Sequence, residues 1–296
     1  MKSLTAPAVI FALLSCFSAV YAQETKPDAF EKLRKSFPKM EGMSLDKNKD
    51  KPSLLNQGKP GVPEEKQAAR APAVREELPG MSYVPAGDFS MGTNTGFDYE
   101  YPEHSVYLDG FYIDKYEVTN AQYKRFIDYT GRKAPEHWKN NACPQGAEYE
   151  PVTNVSCVDA LEYAKWAGKR LPTEEEWEKA ARYTDARTFP WGNEWKKGFA
   201  NVRPMLGFGS PKQVGSYPDG KSKYEVFDLC GNVWEWTDSN FMPYKGNTEP
   251  NDNFGEKNKV IRGGSYRHAE TMGQCSRRDF MALNKTRTDV GFRCAR

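Results

Sequence analysis

The chain has almost no net charge, with 42 basic against 40 acidic residues and a formal +2 over 296 residues. That balance offers no electrostatic field to nucleic acid or to an anionic membrane surface, so neither is expected as a partner. No internal repeat is present, which excludes a solenoid or propeller. Histidine is scarce: only His104, His137 and His268, widely spaced. Residues 23–78 contain no Trp and no Tyr, and their only aromatics are Phe30 and Phe37. Rich in Lys, Glu, Pro and Gln, that segment cannot bury enough apolar surface to offset its ordering entropy, so it reads as a disordered tether.

What precedes the tether has the pattern of an export signal. Lys2 supplies the charge, Ala8 to Leu14 is apolar, and Val20-Tyr21-Ala22 offers a cleavage site before Gln23. The apolar run is too short for a stable membrane span. Leu13-Leu14-Ser15-Cys16 also has the form of a lipidation signal, with Cys16 as the candidate lipid anchor. Either reading places the mature protein outside the cytoplasm, periplasmic or extracellular, where disulfides form. Removing Cys16 leaves Cys143, Cys157, Cys230, Cys275 and Cys294, an odd number that guarantees one unpaired or intermolecular thiol. Cys143–Cys157 would close a short loop and is the preferred bridge; Cys275–Cys294 is a second candidate. Cys230 reads as a small buried hydrophobe.

From residue 79 the texture changes to short strands and aromatic turns. His104–Thr119 alternates apolar and polar residues and predicts one or two strands. Thr119 is placed to cap a helix running to Tyr129, with Tyr123, Phe126 and Ile127 on one face and Gly131 as its stop. Ser156 caps a second helix that ends by Gly168. Thr173-Glu174-Glu175-Glu176 is a capping box for a third, with Trp177, Ala180 and Ala181 buried. Little helix is expected after Tyr183. Val260-Ile261-Arg262 and Val290-Gly291-Phe292-Arg293 read as strands.

Several ordered motifs carry a family resemblance. Met81-Ser82-Tyr83-Val84-Pro85-Ala86-Gly87-Asp88-Phe89-Ser90-Met91-Gly92 and Tyr116-Glu117-Val118-Thr119-Asn120 come first. Trp166-Ala167-Gly168-Lys169-Arg170-Leu171-Pro172-Thr173-Glu174 and Phe189-Pro190-Trp191-Gly192 follow. Gly231-Asn232-Val233-Trp234-Glu235-Trp236, Arg262-Gly263-Gly264-Ser265-Tyr266 and Gly291-Phe292-Arg293-Cys294 complete the series. In order and spacing, residues 79–296 resemble the formylglycine-generating (sulfatase-modifying-factor) family. The resemblance implies an α+β fold, a loop-rich variant of the C-type lectin fold with few helices. It also implies mainly structural roles for these motifs: Gly231, Gly263 and Gly264 for backbone shapes that a Cβ would obstruct, Trp234 and Trp236 for buried area. Arg170 and Glu235, if buried, need charged or metal partners.

Catalytic members of the family oxidise a cysteine to formylglycine with copper(I) held by two thiolates soon after the Gly-Gly-Ser motif. Here Tyr266 to Gln274 contains no cysteine, so copper is not expected. His268 beside Met272 reads as structural rather than as a substitute copper site. The branch that builds sulfur–carbon bonds with non-haem iron needs a His-rich companion domain, absent from this sequence. Cys275 and Cys294 resemble structural cysteines whose usual partners fall near Ala164 and Ala181, where they have none. The resemblance further implies structural Ca²⁺ on the turn before Trp234, held by the side chains of Asp228 and Glu235 and the carbonyls of Gly231 and Val233. The alternative is an unmetallated turn with Asp228 solvated. A second calcium site would begin at Asn201-Val202. The family's ligand groove would be lined by Trp234, Ser265 and Asp289. Together these features predict an exported, non-catalytic accessory or binding protein with a protein partner in the cell envelope. A metal-dependent protein-modifying oxidase with remade ligands and a carbohydrate-binding lectin-like module are the alternatives.

Overall fold

A computed structural model of the chain describes residues 77–203 and 209–296. The expected export signal, Cys16 and nearly all of the expected tether lie outside the described residues. Those described belong to one compact unit, Ala71–Arg296.

Three helices form where their caps predict them. Thr119 accepts from Gln122 N and receives the Gln122 side chain on its own N–H, opening α1 (Asn120–Thr130), which Gly131 closes at φ 70°. Ser156 and Asp159 make the same reciprocal pair at the head of α2 (Cys157–Trp166). Thr173 and Glu176 repeat it for α3 (Glu174–Arg182). Each such cap contributes about 1 kcal/mol by satisfying amides that the first turn leaves orphaned.

The strands are short. β1 (Met81–Val84) pairs antiparallel with β4 (Phe111–Asp114), and β2 (Gly87–Met91) with β3 (His104–Leu108). A four-stranded sheet follows, in the order β7 (Arg278–Ala282), β6 (Gly255–Arg262), β5 (Trp234–Phe241), β8 (Val290–Phe292). The β5–β8 pair is parallel and the other two are antiparallel. The α+β architecture with few helices is as expected. After α3 the described residues form only short 3-10 turns besides strands and loops. No helix among the described residues is long and apolar enough to cross a membrane.

One core cluster lies between α1, α2 and the sheet. In it Tyr123 stacks on Tyr163 at 5.8 Å, and Phe292 meets Tyr163 edge-on at 5.3 Å. Trp234 and Trp236 are fully buried there. A second cluster lies under α3, around Trp177, Ala180 and Ala181.

α3 also buries charge. Glu174 accepts from Arg262 at 3.0 Å, Arg278 at 2.8 Å and the Tyr244 hydroxyl at 2.9 Å. Glu178 accepts from Arg262, and from Arg182 at 3.0 Å. Arg277 holds buried Glu100 through both carboxylate oxygens at 2.9 Å. Paired and hydrogen-bonded charge of this kind tolerates burial.

Candidate functional site

The turn leading into β5 has an unusual backbone. Asp228 and Asn232 take φ 60° and 56°, and Gly231 takes φ 82°. A Cβ on Gly231 would lie 2.3 Å from Asn201 O, which explains the glycine. Asn232 ties the turn together. Its N–H donates to Asn201 O at 2.8 Å and its Nδ2 to Glu117 Oε1 at 2.8 Å. Its Oδ1 accepts from Asn201 Nδ2 at 3.0 Å and from Lys212 N at 2.9 Å.

Three buried carboxylates gather around this turn. Asp228 accepts from Gly215 N at 2.6 Å. Glu235 is gripped by Arg293, with Nε and Nη2 donating to separate oxygens at 2.6 Å each, and it accepts from Trp177 Nε1 at 2.8 Å. Glu117 leaves Oε2 buried with no hydrogen-bond partner. Burial and then the nearby Asp228 charge push the Glu117 carboxyl well above the ordinary range. Burial likewise raises Asp228, against the pull of its bond from Gly215 N, of Arg293 and of the Glu117 carboxyl, which when protonated can donate to it. With Arg293 as the one guanidinium among them, the cluster carries two negative charges in excess when fully ionised.

Carboxylate oxygens are the hard donors that calcium takes, but they do not stand in the arrangement the motif implies. Asp228 is in place, but buried rather than solvated. Glu235 already uses both oxygens on Arg293 and Trp177. Its partner is therefore a cation of the chain itself. Glu117, outside the expected set, supplies the carboxylate with a bare oxygen. In sequence Tyr116-Glu117-Val118-Thr119 carries a family pattern and a helix cap, and nothing in it shows which way Glu117 turns. As they stand, no three acidic, His or Cys side chains among the described residues converge in metal-ligand geometry. Carbonyls would have to complete the shell, and those of Gly231 and Val233 are the ones the motif names. Asn201 belongs to the same network through Asn232, with Val202 next to it. Part of the loop expected to complete that second site, residues 204–208, lies outside the described residues.

The expected groove residues do come together. Gly263 and Gly264 take φ 98° and 72° and carry the chain into Ser265; a Cβ on Gly264 would lie 2.7 Å from Met272 O. Trp234 N donates to Asp289 O at 2.9 Å. Ser265 Oγ donates to Asp289 Oδ2 at 2.7 Å, and Arg287 Nε holds Asp289 Oδ1 at 2.6 Å. His268 joins them, with Nδ1 2.7 Å from Ser265 Oγ and its ring edge-on to Trp234 at 5.7 Å. Burial lowers the His268 pKa, opposed by Asp289. Sequence alone does not assign His268 to the groove; its spacing of three from Ser265 is the available signal. Met272 does not join it: that side chain packs on the main core. Trp234 Nε1 and Arg287 Nη2 are buried donors without partners at this site. The Asp228 turn and the groove are joined by Tyr266 N donating to Asn232 O at 2.9 Å.

Of the cysteines, Cys230 lies in the Asp228 turn itself, buried directly before Gly231. Cys143, Cys157, Cys230, Cys275 and Cys294 are all free thiols, so neither expected bridge is formed. Cys275 packs under α3 with Ala181, whereas Cys294 packs with Ala164 in the other core cluster. Cys157 is fully buried with Sγ directed at Thr237 O, 3.9 Å away, and Cys143 is half-buried. Burial raises each of these thiols, Cys157 to about 12, which disfavours thiolate.

Comparison with known proteins agrees with this architecture. The chain is 31% identical to the mouse formylglycine-generating enzyme, over 73% of this chain and 74% of that protein. It is 29% identical to the mouse inactive C-alpha-formylglycine-generating enzyme 2, over 73% and 85%. Among solved structures, PvdO from Pseudomonas aeruginosa superposes with a TM-score of 0.62 and 26% identity, covering 73% of this chain and 93% of that one. Residues 66–296 match the sulfatase-modifying factor enzyme 1-like domain, and the chain belongs to that family.

Proposed function

We propose that this chain is an exported accessory or binding protein of the cell envelope, whose calcium-braced domain presents the groove to a protein partner through the exposed edge of His268, with Trp234, Ser265 and Asp289 buried behind it. The observation that carries the reading is the content of the groove. Where the family's oxidases hold copper with two thiolates, residues 266–274 contain no cysteine, and His268 instead locks onto Ser265 and Asp289. The thiols elsewhere are raised by burial, which disfavours thiolate in the free protein. A family relative named as inactive is compatible with a scaffold kept without its oxidation chemistry. Calcium is supported by the bare Glu117 oxygen and by the excess of buried negative charge around Asp228. An N-terminal signal and tether would give export and reach, with Cys16 as the candidate for lipid attachment.

The test is metal content of the mature full-length chain made in the periplasm, after exposure to Ca²⁺ and to Cu(I), followed by cross-linking in the native envelope. About one calcium per chain, no retained copper and a reproducible cross-linked partner are expected. Tightly held copper would sink the reading.

A second reading has one observation in its favour. A Ser, a His and an Asp within hydrogen-bond reach suit a remade enzyme site, metal-dependent through His268. It predicts copper or iron retained after loading and lost in His268→Ala.

A further inference from the structure

The Ser265 hydroxyl has one proton, accepts from Arg267 N at 3.2 Å, and has two side-chain neighbours at equal distance. Asp289 Oδ2 and His268 Nδ1 both lie 2.7 Å away. A carboxylate can only accept, and Asp289 already accepts from Arg287 Nε on its other oxygen. The Ser265 proton therefore goes to Asp289, leaving a lone pair of Oγ facing His268. Two acceptors do not sit at that distance, so Nδ1 must carry a proton. A neutral imidazole has one N–H, and the bond made at one ring nitrogen fixes the role of the other. Nε2 of His268 is then a bare acceptor.

The surroundings keep that acceptor available. Ser265 and Asp289 are buried, whereas the His268 side chain is 33% exposed. Nε2 has no hydrogen-bond partner among the described residues and is not one of the buried unpartnered atoms. The charged and titratable groups that act on the ring are Asp289, Arg287, Asp279 and Arg267, two of each sign. Burial outweighs them and favours the neutral ring.

We propose that Asp289, Ser265 and His268 form a relay that presents Nε2 of His268 as the proton acceptor of the groove, for a ligand whose hydroxyl, thiol or ammonium group meets the exposed edge of the His268 ring. A proton leaves the ligand heteroatom, which keeps the bonding pair, and binds Nε2; the imidazolium keeps Nδ1–H on Ser265 Oγ. The Asp289 carboxylate, with Oδ2 3.8 Å from Nδ1, offsets the new charge. His268 touches the ligand; Ser265 and Asp289 are positioning residues. The inference takes the groove as a ligand site from the reading above, but the tautomer follows from this chain's own hydrogen bonds.

The other two histidines are internal controls. His104 Nδ1 lies 2.8 Å from Pro102 O, a pure acceptor, so it is Nδ1–H. His137 Nδ1 lies 3.0 Å from Asn154 Nδ2, a pure donor, so it is Nε2–H. Long-range ¹⁵N correlation spectra of the imidazoles in the full chain at neutral pH should show Nδ1–H at His104 and His268 and Nε2–H at His137. Ser265→Ala should move His268 to Nε2–H and leave the other two unchanged. Diethyl pyrocarbonate, read by peptide mass spectrometry, should modify His268 at Nε2 in the wild-type chain. Nε2–H at His268 in the wild-type chain overturns the proposal without reference to any variant. So does a tautomer indifferent to Ser265→Ala, or a His268 that the reagent does not reach. Metal content and cross-linking decide the groove reading separately, because neither depends on which ring nitrogen is protonated.

Discussion

Beneath α3, Glu100, Glu174 and Glu178 face Arg182, Arg262, Arg277 and Arg278; beside the Trp234 turn, Glu117, Asp228 and Glu235 face Arg293 alone. Both clusters are buried in the same domain. In the first each carboxylate has a guanidinium, and Tyr244 and Gly92 N take up further oxygens; what is left over is on the arginine side, where Nε of Arg182, Arg262 and Arg278 is buried without a hydrogen-bond partner. The second has one carboxylate satisfied to the last oxygen, Glu235, and one with a bare oxygen, Glu117. Buried charge is tolerated only when paired, so an excess of carboxylate in a closed network must take up protons or a cation. The two clusters therefore differ in the sign of what is left over, positive beneath α3 and negative beside the Trp234 turn, and only the second leaves a buried carboxylate oxygen without a hydrogen-bond donor.

The contrast between the clusters is most severely disturbed by removing the single cation of the poorer one. Arg293→Met strands Glu235 beside Glu117 and Asp228. Urea unfolding should show a loss of about 3–5 kcal/mol, the range for an orphaned buried charge. Metal removal is milder and more selective. Chelation of the wild-type chain should lower stability, and calcium at a hundredfold excess over its dissociation constant should restore about 2.7 kcal/mol by mass action. Glu117→Gln should weaken that calcium response, while Glu178→Gln in the arginine-rich cluster should destabilise the chain without altering it. Equal calcium responses in the two variants would erase the distinction. The smallest effect is expected at the surface, where Lys124, half-buried, and Asp128, exposed, pair at 2.5 Å. Lys124→Ala should cost about 0.5 kcal/mol or less by the same urea measurement.

Much of the fold is legible in the order of the residues. Thr119, Ser156 and Thr173 each stand three residues before a side chain able to return the bond, and each starts a helix. Gly131 marks a helix end because φ near 70° is cheap for glycine. The motifs assign Trp234, Ser265 and Asp289 to a groove, and they do meet. The site is legible only in part, because partners far apart in the chain decide what a side chain does. The motif makes Glu235 a calcium ligand, but Arg293, 58 residues away, takes both of its oxygens. Glu117 sits in a motif whose pattern speaks only of family and capping; Asn232, 115 residues on, holds one oxygen and leaves the other bare. His268 is a lone histidine along the chain, and Asp289 makes it part of a relay. The cysteines mislead for the same reason. Loop length favours Cys143–Cys157, but both are free thiols, Cys157 sealed inside the main core with Sγ directed at Thr237 O and Cys143 half-buried against its edge.

The local elements and the family follow from sequence alone. Caps, breakers and alternating apolar runs act over a few residues, and ordered motifs are read along a line. That residues 266–274 offer no thiolate is equally a matter of sequence. Only tertiary contacts decide which acid holds an arginine, which is left with a bare oxygen, and which ring nitrogen of His268 carries the proton. Those outcomes depend on hydrogen bonds between residues 24 to 115 positions apart, where distance and burial, not neighbouring sequence, set the free energy of each charge.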